Sequence, residues 1–359
     1  MKPLPYGINY VLTSCIFLLL WTHAALYAQI PVPDWSARLE PFPVGTEIAI
    51  GTLRNGATTF LGFRKTETGV DTLDNQDHIF RIGSVTKTFT TYVYTAALED
   101  GRLRSDDLLS DFFPYPLAGG KKVEQITLDQ LANHSSGIPR LPKAWLKYVL
   151  QPQPYAHIDS AEIAKVLTKT LKLNHDPGTD YEYSNFAIGV LAEILEDTFA
   201  FPLDYLIEEL ICAPNGMADT RFSIADSSRW ISGLNSSGQP VVPWRFGSLK
   251  GAGALWSTTT DMLKFLQFQL GTDPAVLWGQ EITLPVFEHL SVARGWHYYD
   301  LAPESAPFYW HNGATLGYRS FAGFQRGGKE KAVVILSNIS AFSPYMSDVD
   351  EWGRAFFRE

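Results

Sequence analysis

Cysteine is nearly missing from this chain: two in 359 residues, Cys15 and Cys212. That excludes a disulfide framework, so stability must come from a hydrophobic core, and a chain of this length can bury one. Long apolar runs are missing too. The stretch Val11 to Trp21 is nearly all apolar but is well short of the ~20 residues that span a bilayer. No block of like charges occurs and the net charge is −9, which argues against a nucleic-acid partner and against a charged interaction tail. The eight histidines include no H-E-x-x-H or H-x-H spacing, so no metal is expected. There is no G-x-S-x-G nucleophile elbow and no glycine-rich phosphate loop. What remains is ordinary globular composition, 45% hydrophobic and 19% charged.

The N-terminus reads as an export signal. Lys2 is the only charge in the first 28 residues, the apolar stretch comes next, and Ala24, Ala25 and Ala28 offer small residues for cleavage. Cleavage after Ala28 would leave 29–359 as a periplasmic or secreted protein with no stable membrane span; an uncleaved anchor is the alternative. Leu12-Thr13-Ser14-Cys15 looks like a lipoprotein box, but Cys15 precedes most of the apolar run instead of following it. Cys212, in Leu210-Ile211-Cys212-Ala213, reads as a small buried hydrophobe.

Glu47 to Gly51 and Thr58 to Gly62 read as strands joined through Asn55-Gly56, an antiparallel hairpin. Val85, Phe89, Val93 and Ala97 recur at helical spacing, with Gly101 placed to end the helix. From about 116 to 270 helical signals dominate: Thr127–Asn133, Ser160–Leu171, Phe186–Thr198, Pro202–Leu210 and a helix starting near Thr259. Asp159 or Ser160, and Ser184 or Asn185, are the candidate N-caps. Strand patterns return at Gly295–Tyr299, Pro307–His311, Tyr318–Phe324 and Ala332–Ser337, and an amphipathic segment (Val349, Trp352, Phe356) closes the chain. Strands at both ends, 29–115 and 271–359, around a helical insertion predict an α+β fold: an antiparallel sheet flanked by helices, with a mostly helical subdomain.

The most informative motif is Ser84-Val85-Thr86-Lys87. A lysine three residues after a serine lies on the same helix face, placing an amine beside a hydroxyl too weakly acidic to attack a carbonyl unaided. Alone the pattern is cheap, arising roughly once in a chain of this length at average composition. Its weight comes from an ordered set of later motifs. These are Leu131-Ala-Asn-His-Ser-Ser-Gly137, Pro177-Gly178 leading into Tyr183-Ser184-Asn185, Pro214-Asn-Gly-Met217, Gly251-Ala-Gly-Ala-Leu-Trp-Ser257 and Tyr309-Trp-His-Asn-Gly313.

Over nearly the whole mature chain this order resembles the serine β-lactamase and penicillin-binding-protein superfamily, in its class C branch, which includes D-alanyl-D-alanine carboxypeptidases and esterases. The resemblance implies a serine hydrolase working through an acyl-enzyme without cofactor or metal. Ser84 would be the nucleophile, and Lys87 and Tyr183 the proton-transfer groups. The backbone N–H groups of Ser84 and Ala314 would form the oxyanion hole. Asn185 would hydrogen-bond the substrate, and His311, Asn312 and Gly313 would form the third motif on the strand lining the cleft.

Many β-lactamases carry lysine where this chain has His311. A histidine is mostly neutral near pH 7, so a permanent cation for a substrate carboxylate is lost. Arg319 could replace it, or could be a solvated strand arginine. His134 reads as part of a structural turn. The expected partners are a β-lactam, a D-Ala-terminated peptidoglycan peptide or a short ester. A non-catalytic peptide-binding protein of the same fold is the reading from a different class, opposed by the presence of Ser84, Lys87 and Tyr183 together.

Overall fold

Asn55 and Gly56 both take left-handed backbone angles, φ 51° and 80°, and two such residues in succession close a two-residue hairpin whose twist matches its strands. They join β1 (Glu47–Arg54) to β2 (Ala57–Thr66). The computed structural model describes residues 35–224, 227–301, 305–327 and 330–358; the expected export signal lies outside them. The chain divides into a unit ending at Pro41, whose described part is the short helix Trp35–Leu39, and a unit spanning Phe42–Glu359. No helix among the described residues is long and apolar enough to cross a membrane.

In the larger unit the remaining strands are β3 (Gly69–Thr72), β4 (Phe80–Arg81), β5 (Trp256–Ser257), β6 (Leu284–Phe287), β7 (Leu290–Val292), β8 (His297–Tyr299), β9 (Phe308–Thr315), β10 (Tyr318–Gln325) and β11 (Lys331–Ser337). Among the described residues nine of the eleven strands form one antiparallel sheet in the order β3-β2-β1-β11-β10-β9-β8-β7-β6, and β4 pairs with β5 in a separate ribbon. Joining the two ends of the chain, β1 pairs with β11, Ile48 opposite Ser337. Between β4 and β5 the regular secondary structure of the described residues is helical.

Helices cover both faces of the sheet. Gly51 and Val334 are register partners, and a Cβ on Gly51 would sit 2.9 Å from Leu263 of helix Thr259–Leu270. Gly323, which pairs with Val333, lies on the other face, where an added Cβ would come 3.1 Å from Phe357 of helix Met346–Arg358. Successive residues of a strand face opposite sides, so one strand serves both layers. The fold is therefore α+β, an antiparallel sheet flanked by helices, as the pattern predicted.

The closing helix turns a different stripe inward than expected. Val349, Gly353 and Phe357 are buried, Phe357 stacks on Phe308 at 4.3 Å, and Trp352 is half-exposed. Phe356 lies instead under the Arg54 guanidinium, 4.0 Å from its ring centre. The spacing of 349, 353 and 357 is helical as well, but its middle member is a glycine, invisible to a count of apolar residues. Cys212 is fully buried, and burial pushes its thiol pKa up, which leaves it unreactive.

Local chemistry decides where the helices near the site begin. Call Thr86–Glu99 α1 and Asn185–Phe199 α2. The Ser184 hydroxyl accepts the Ala187 N–H at 2.9 Å, making Ser184 the N-cap of α2. The same hydroxyl donates to the Pro139 carbonyl at 2.9 Å, tying the helix start to the 133–140 turn.

Candidate active site

Ser84 sits on a single tight turn, Gly83–Val85, that leads directly into α1. Gly83 takes φ +53°, and a Cβ there would be 2.7 Å from the Ala314 nitrogen. From the other side, a Cβ on Gly313 would fall 2.0 Å from the Ile82 carbonyl oxygen and 2.4 Å from Ser320 Oγ. Ser320 Oγ itself donates to Ile82 O at 2.7 Å, fastening β10 to the turn. Two missing side chains thus let the Ser84 turn and strand β9 touch, which brings Ala314 against the nucleophile candidate. Gly313→Ala will force these two backbones apart. We expect roughly a 10²–10³-fold loss of kcat/KM, the usual consequence of losing one oxyanion donor, together with a lowered Tm. Steady-state rates and a thermal melt check this, and wild-type rates would show that the close approach is unnecessary.

Lys87 is fully buried in the first turn of α1, three residues after Ser84. Its Nζ lies 2.6 Å from the Ala252 carbonyl, 2.8 Å from Asn185 Oδ1 and 3.3 Å from Ser84 Oγ, with the Tyr183 ring centre 4.8 Å away. No carboxylate is among these partners. Burial, reinforced by the positive charge of Arg140, holds its pKa well below the usual lysine range. The segment carrying Ala252 is itself fixed to α1, through Thr90 Oγ1 to Gly251 O at 2.8 Å and Leu255 N–H to Thr86 Oγ1 at 3.1 Å.

Tyr183 stands just ahead of the Ser184 cap. Burial pushes its hydroxyl up to about 12, with a hydrogen bond to Ser84 pulling the other way. Its ring is 4.5 Å from that of His134 and 6.1 Å from that of His311, and the Arg140 guanidinium lies 5.1 Å from its centre. Asn185 was expected to bind substrate; the structure turns its Oδ1 to Lys87, so its amide also orients the amine.

His134 has φ +64°, unusual for a residue with a side chain. Its Nδ1 accepts the Ser184 N–H at 3.2 Å and its carbonyl accepts the Glu182 N–H at 2.7 Å, so it clamps both sides of Tyr183. His311 Nδ1–H donates to the Asn312 carbonyl at 2.6 Å, which leaves Nε2 as a lone-pair acceptor. Burial holds His311 well below its ordinary pKa. His311 is therefore neutral at pH 7.

Arg319 pairs directly with Asp350, whose Oδ2 also accepts from Asn312 Nδ2 at 2.6 Å. Only 11% of the Arg319 side chain is exposed. It is neither a solvated strand arginine nor an unpaired cation, and Asn312 is spent on the same carboxylate.

Two features were not anticipated from the sequence. His297 of β8 stacks on Trp310 at 4.7 Å, accepts from or donates to the Tyr181 hydroxyl at 3.0 Å, and is held down to about 4 by burial. Its ring lies 5.2 Å from that of His311, and the rings of His134 and His311 both lie near that of Tyr183. The available signal was a histidine on the strand neighbouring His311, which alternation alone does not mark as functional. The Ala252 carbonyl was also missed, since a backbone acceptor has no residue-type signature. Among the described residues no set of three or more His, Cys, Asp and Glu side chains is placed to hold a metal ion.

The Beta-lactamase family profile matches residues 46–353. The chain belongs to the Beta-lactamase family. The superfamily read from the motifs is thus the right one: serine β-lactamases and penicillin-binding proteins. A curated relative, the D-alanyl-D-alanine-carboxypeptidase/endopeptidase AmpH of Escherichia coli K12, is 28% identical over 233 residues, 64% of this chain and 58% of AmpH. The chain thus spans a little over half the length of that curated relative. Among solved structures, a class C β-lactamase from Rhodobacter sphaeroides superposes with a TM-score of 0.73 at 20% identity, over 90% of this chain and 96% of that one. A β-lactamase/D-alanine carboxypeptidase from Pseudomonas syringae gives 0.72 at 18% identity, over 96% and 98%. At these identities the two structures speak to the fold alone.

Proposed function

We propose that this member of the Beta-lactamase family is a serine hydrolase that forms an acyl-enzyme on Ser84, acting on amide bonds of β-lactams or D-Ala-terminated peptidoglycan peptides. The observation that carries it is Lys87, fully buried without a carboxylate and 3.3 Å from Ser84 Oγ. The pKa values of Lys87 and Tyr183 are pushed in opposite directions, down for the amine and up for the phenol. Such divergence divides acid from base. Neutral Lys87 takes the Ser84 proton as Oγ bonds to the substrate carbonyl carbon. The N–H groups of Ser84 and Ala314 hold the oxyanion, worth a few kcal/mol per donor. Collapse breaks the C–N bond, and the leaving nitrogen receives its proton through Tyr183, which is replenished from Lys87. Water, deprotonated along the same route, then releases the acyl group from Ser84.

The carboxypeptidase named among the relatives supports the peptide reading, and the export signal proposed at residues 1–28 would place the protein beside peptidoglycan. A carboxylesterase is the second reading. It is favoured by the neutral His311 and the paired Arg319, which leave β9 and β10 without a free cation at this site.

Intact-protein mass spectrometry after incubation with benzylpenicillin, run beside Ser84→Ala, tests the proposal. We expect either an adduct that Ser84→Ala lacks or a Ser84-dependent loss of drug. A persistent adduct points to peptidase chemistry and rapid loss to β-lactamase chemistry. If neither appears, a Ser84-dependent turnover of p-nitrophenyl acetate moves the assignment to esters, and its absence overturns the hydrolase reading.

A further inference from the structure

A substrate with an acidic group needs a cation near the nucleophile, and the positions first considered for it do not supply one. His311 is neutral, Arg319 is neutralised by Asp350, and Lys87 is fully buried, with its pKa held well below the usual lysine range. Arg81 has no carboxylate partner among the described residues, but it is 8% exposed and packed against Trp256, 4.2 Å from that ring. One further arginine, Arg140, lies over the ring of Tyr183.

We infer that Arg140 receives the carboxylate of the substrate, so that the enzyme prefers acyl donors carrying an acidic group near the scissile bond. The inference rests on the serine hydrolase reading above. Arg140 is solvent-exposed, and among the described residues no Asp or Glu lies within ion-pair distance of it. Its guanidinium is 5.1 Å from the Tyr183 ring centre, a cation–π placement that holds it over the catalytic tyrosine candidate. Its charge is felt by Lys87, Tyr183, Tyr181, Tyr155 and His134, five groups from four separate segments around the Ser84 turn.

The backbone beneath it is rigid. The Arg140 carbonyl accepts the N–H groups of Asn185 and Phe186 at 3.2 and 3.3 Å, occupying the first donors of α2. Pro139 precedes it and Pro142 comes two residues later, each fixing φ. A guanidinium on a stiff stem, stacked on an aromatic ring and with its N–H fork unpaired, is suited to bidentate capture of a carboxylate. The permanent cation that many relatives place on β9 is here carried by the 133–140 turn.

The test compares an acyl-D-alanyl-D-lactate, which ends in a free carboxylate, with the same compound capped as a terminal carboxamide. The scissile ester is identical in both. Wild type should prefer the carboxylate, and Arg140→Gln should lower the ratio of the two kcat/KM values by roughly 10–100-fold, mostly through KM. Arg140→Lys should recover part of the ratio, and raising the salt concentration should erode it in wild type more than in Arg140→Gln. Taking a ratio cancels any shared effect of Arg140 on Lys87 or on folding. A ratio changed less than about threefold overturns the inference while leaving the hydrolase reading intact. If neither substrate shows Ser84-dependent turnover, both fall together.

Discussion

Ser84→Ala and Lys87→Met will each lower kcat/KM by roughly 10⁴-fold or more, and the double variant will be scarcely worse than either single one. Residues that act as one unit lose nearly everything when any member goes. Here the unit is physical: the Ser84 hydroxyl lies 3.3 Å from the Lys87 amine, the base proposed for it. Lys87→Met keeps the volume but removes the proposed base, leaving the Ser84 hydroxyl beside a phenol whose raised pKa keeps it protonated. Steady-state rates on a penicillin and on a neutral ester measure this. A double variant far worse than the singles would mean that the two residues serve separate steps.

Lys87 also links stability to pH. Its folded pKa is depressed, so between that value and its ordinary value the unfolded chain binds a proton that the folded chain does not. The contribution is fully present above the unfolded pKa and is lost as pH falls through the folded one. Wild type should therefore gain Tm relative to Lys87→Met as pH rises toward 10. A Tm difference independent of pH would show that Lys87 is charged in the folded protein.

Tyr183→Phe should cost roughly 10²–10⁴-fold in kcat, the range of a lost general acid–base group, with a nearly unchanged Tm because only one oxygen is removed. The pH profile carries more information than the loss. Activity should rise with pH through the Lys87 pKa, since the neutral amine is the working form, and then stay level to about pH 10, because Tyr183 titrates only near 12. The variant should keep the rising limb on a lower plateau. If the rising limb vanished with the hydroxyl, Tyr183 and not Lys87 would be setting it.

Much of this was legible in residue types at fixed spacing. The Asn55-Gly56 hairpin, the Gly101 helix end and the α+β layout come from turn chemistry and periodicity, which act over a few residues. The strands Gly69–Thr72, Leu284–Phe287 and Leu290–Val292 went unread because they are short, partly exposed and carry Pro285 and scattered polar residues. At the site, the motif residues Ser84, Lys87 and Tyr183 do converge, but their environment could not be read in advance. That Arg319 would be matched by Asp350 depends on a helix 31 positions later, and that Lys87 would lean on the Ala252 carbonyl depends on backbone, which every residue has. Partners of a charge are a tertiary property; sequence shows only who is available.

The pairing of β1 with β11 has a consequence for how the protein comes into being. Ile48 meets Ser337 across 289 steps of chain, so the central part of the sheet cannot close until β11 has left the ribosome. Contacts this remote are slow to form, because the loop entropy is spent before the strands reward it. Until then β1 has an open, apolar edge, an invitation to other chains in the crowded cell. A nascent chain that already holds Ser84, Lys87 and Tyr183 would still lack the strand carrying Ala314. Assembly of the candidate site is in this way deferred until β9 to β11 have been made, long after the motif that carries Ser84 and Lys87.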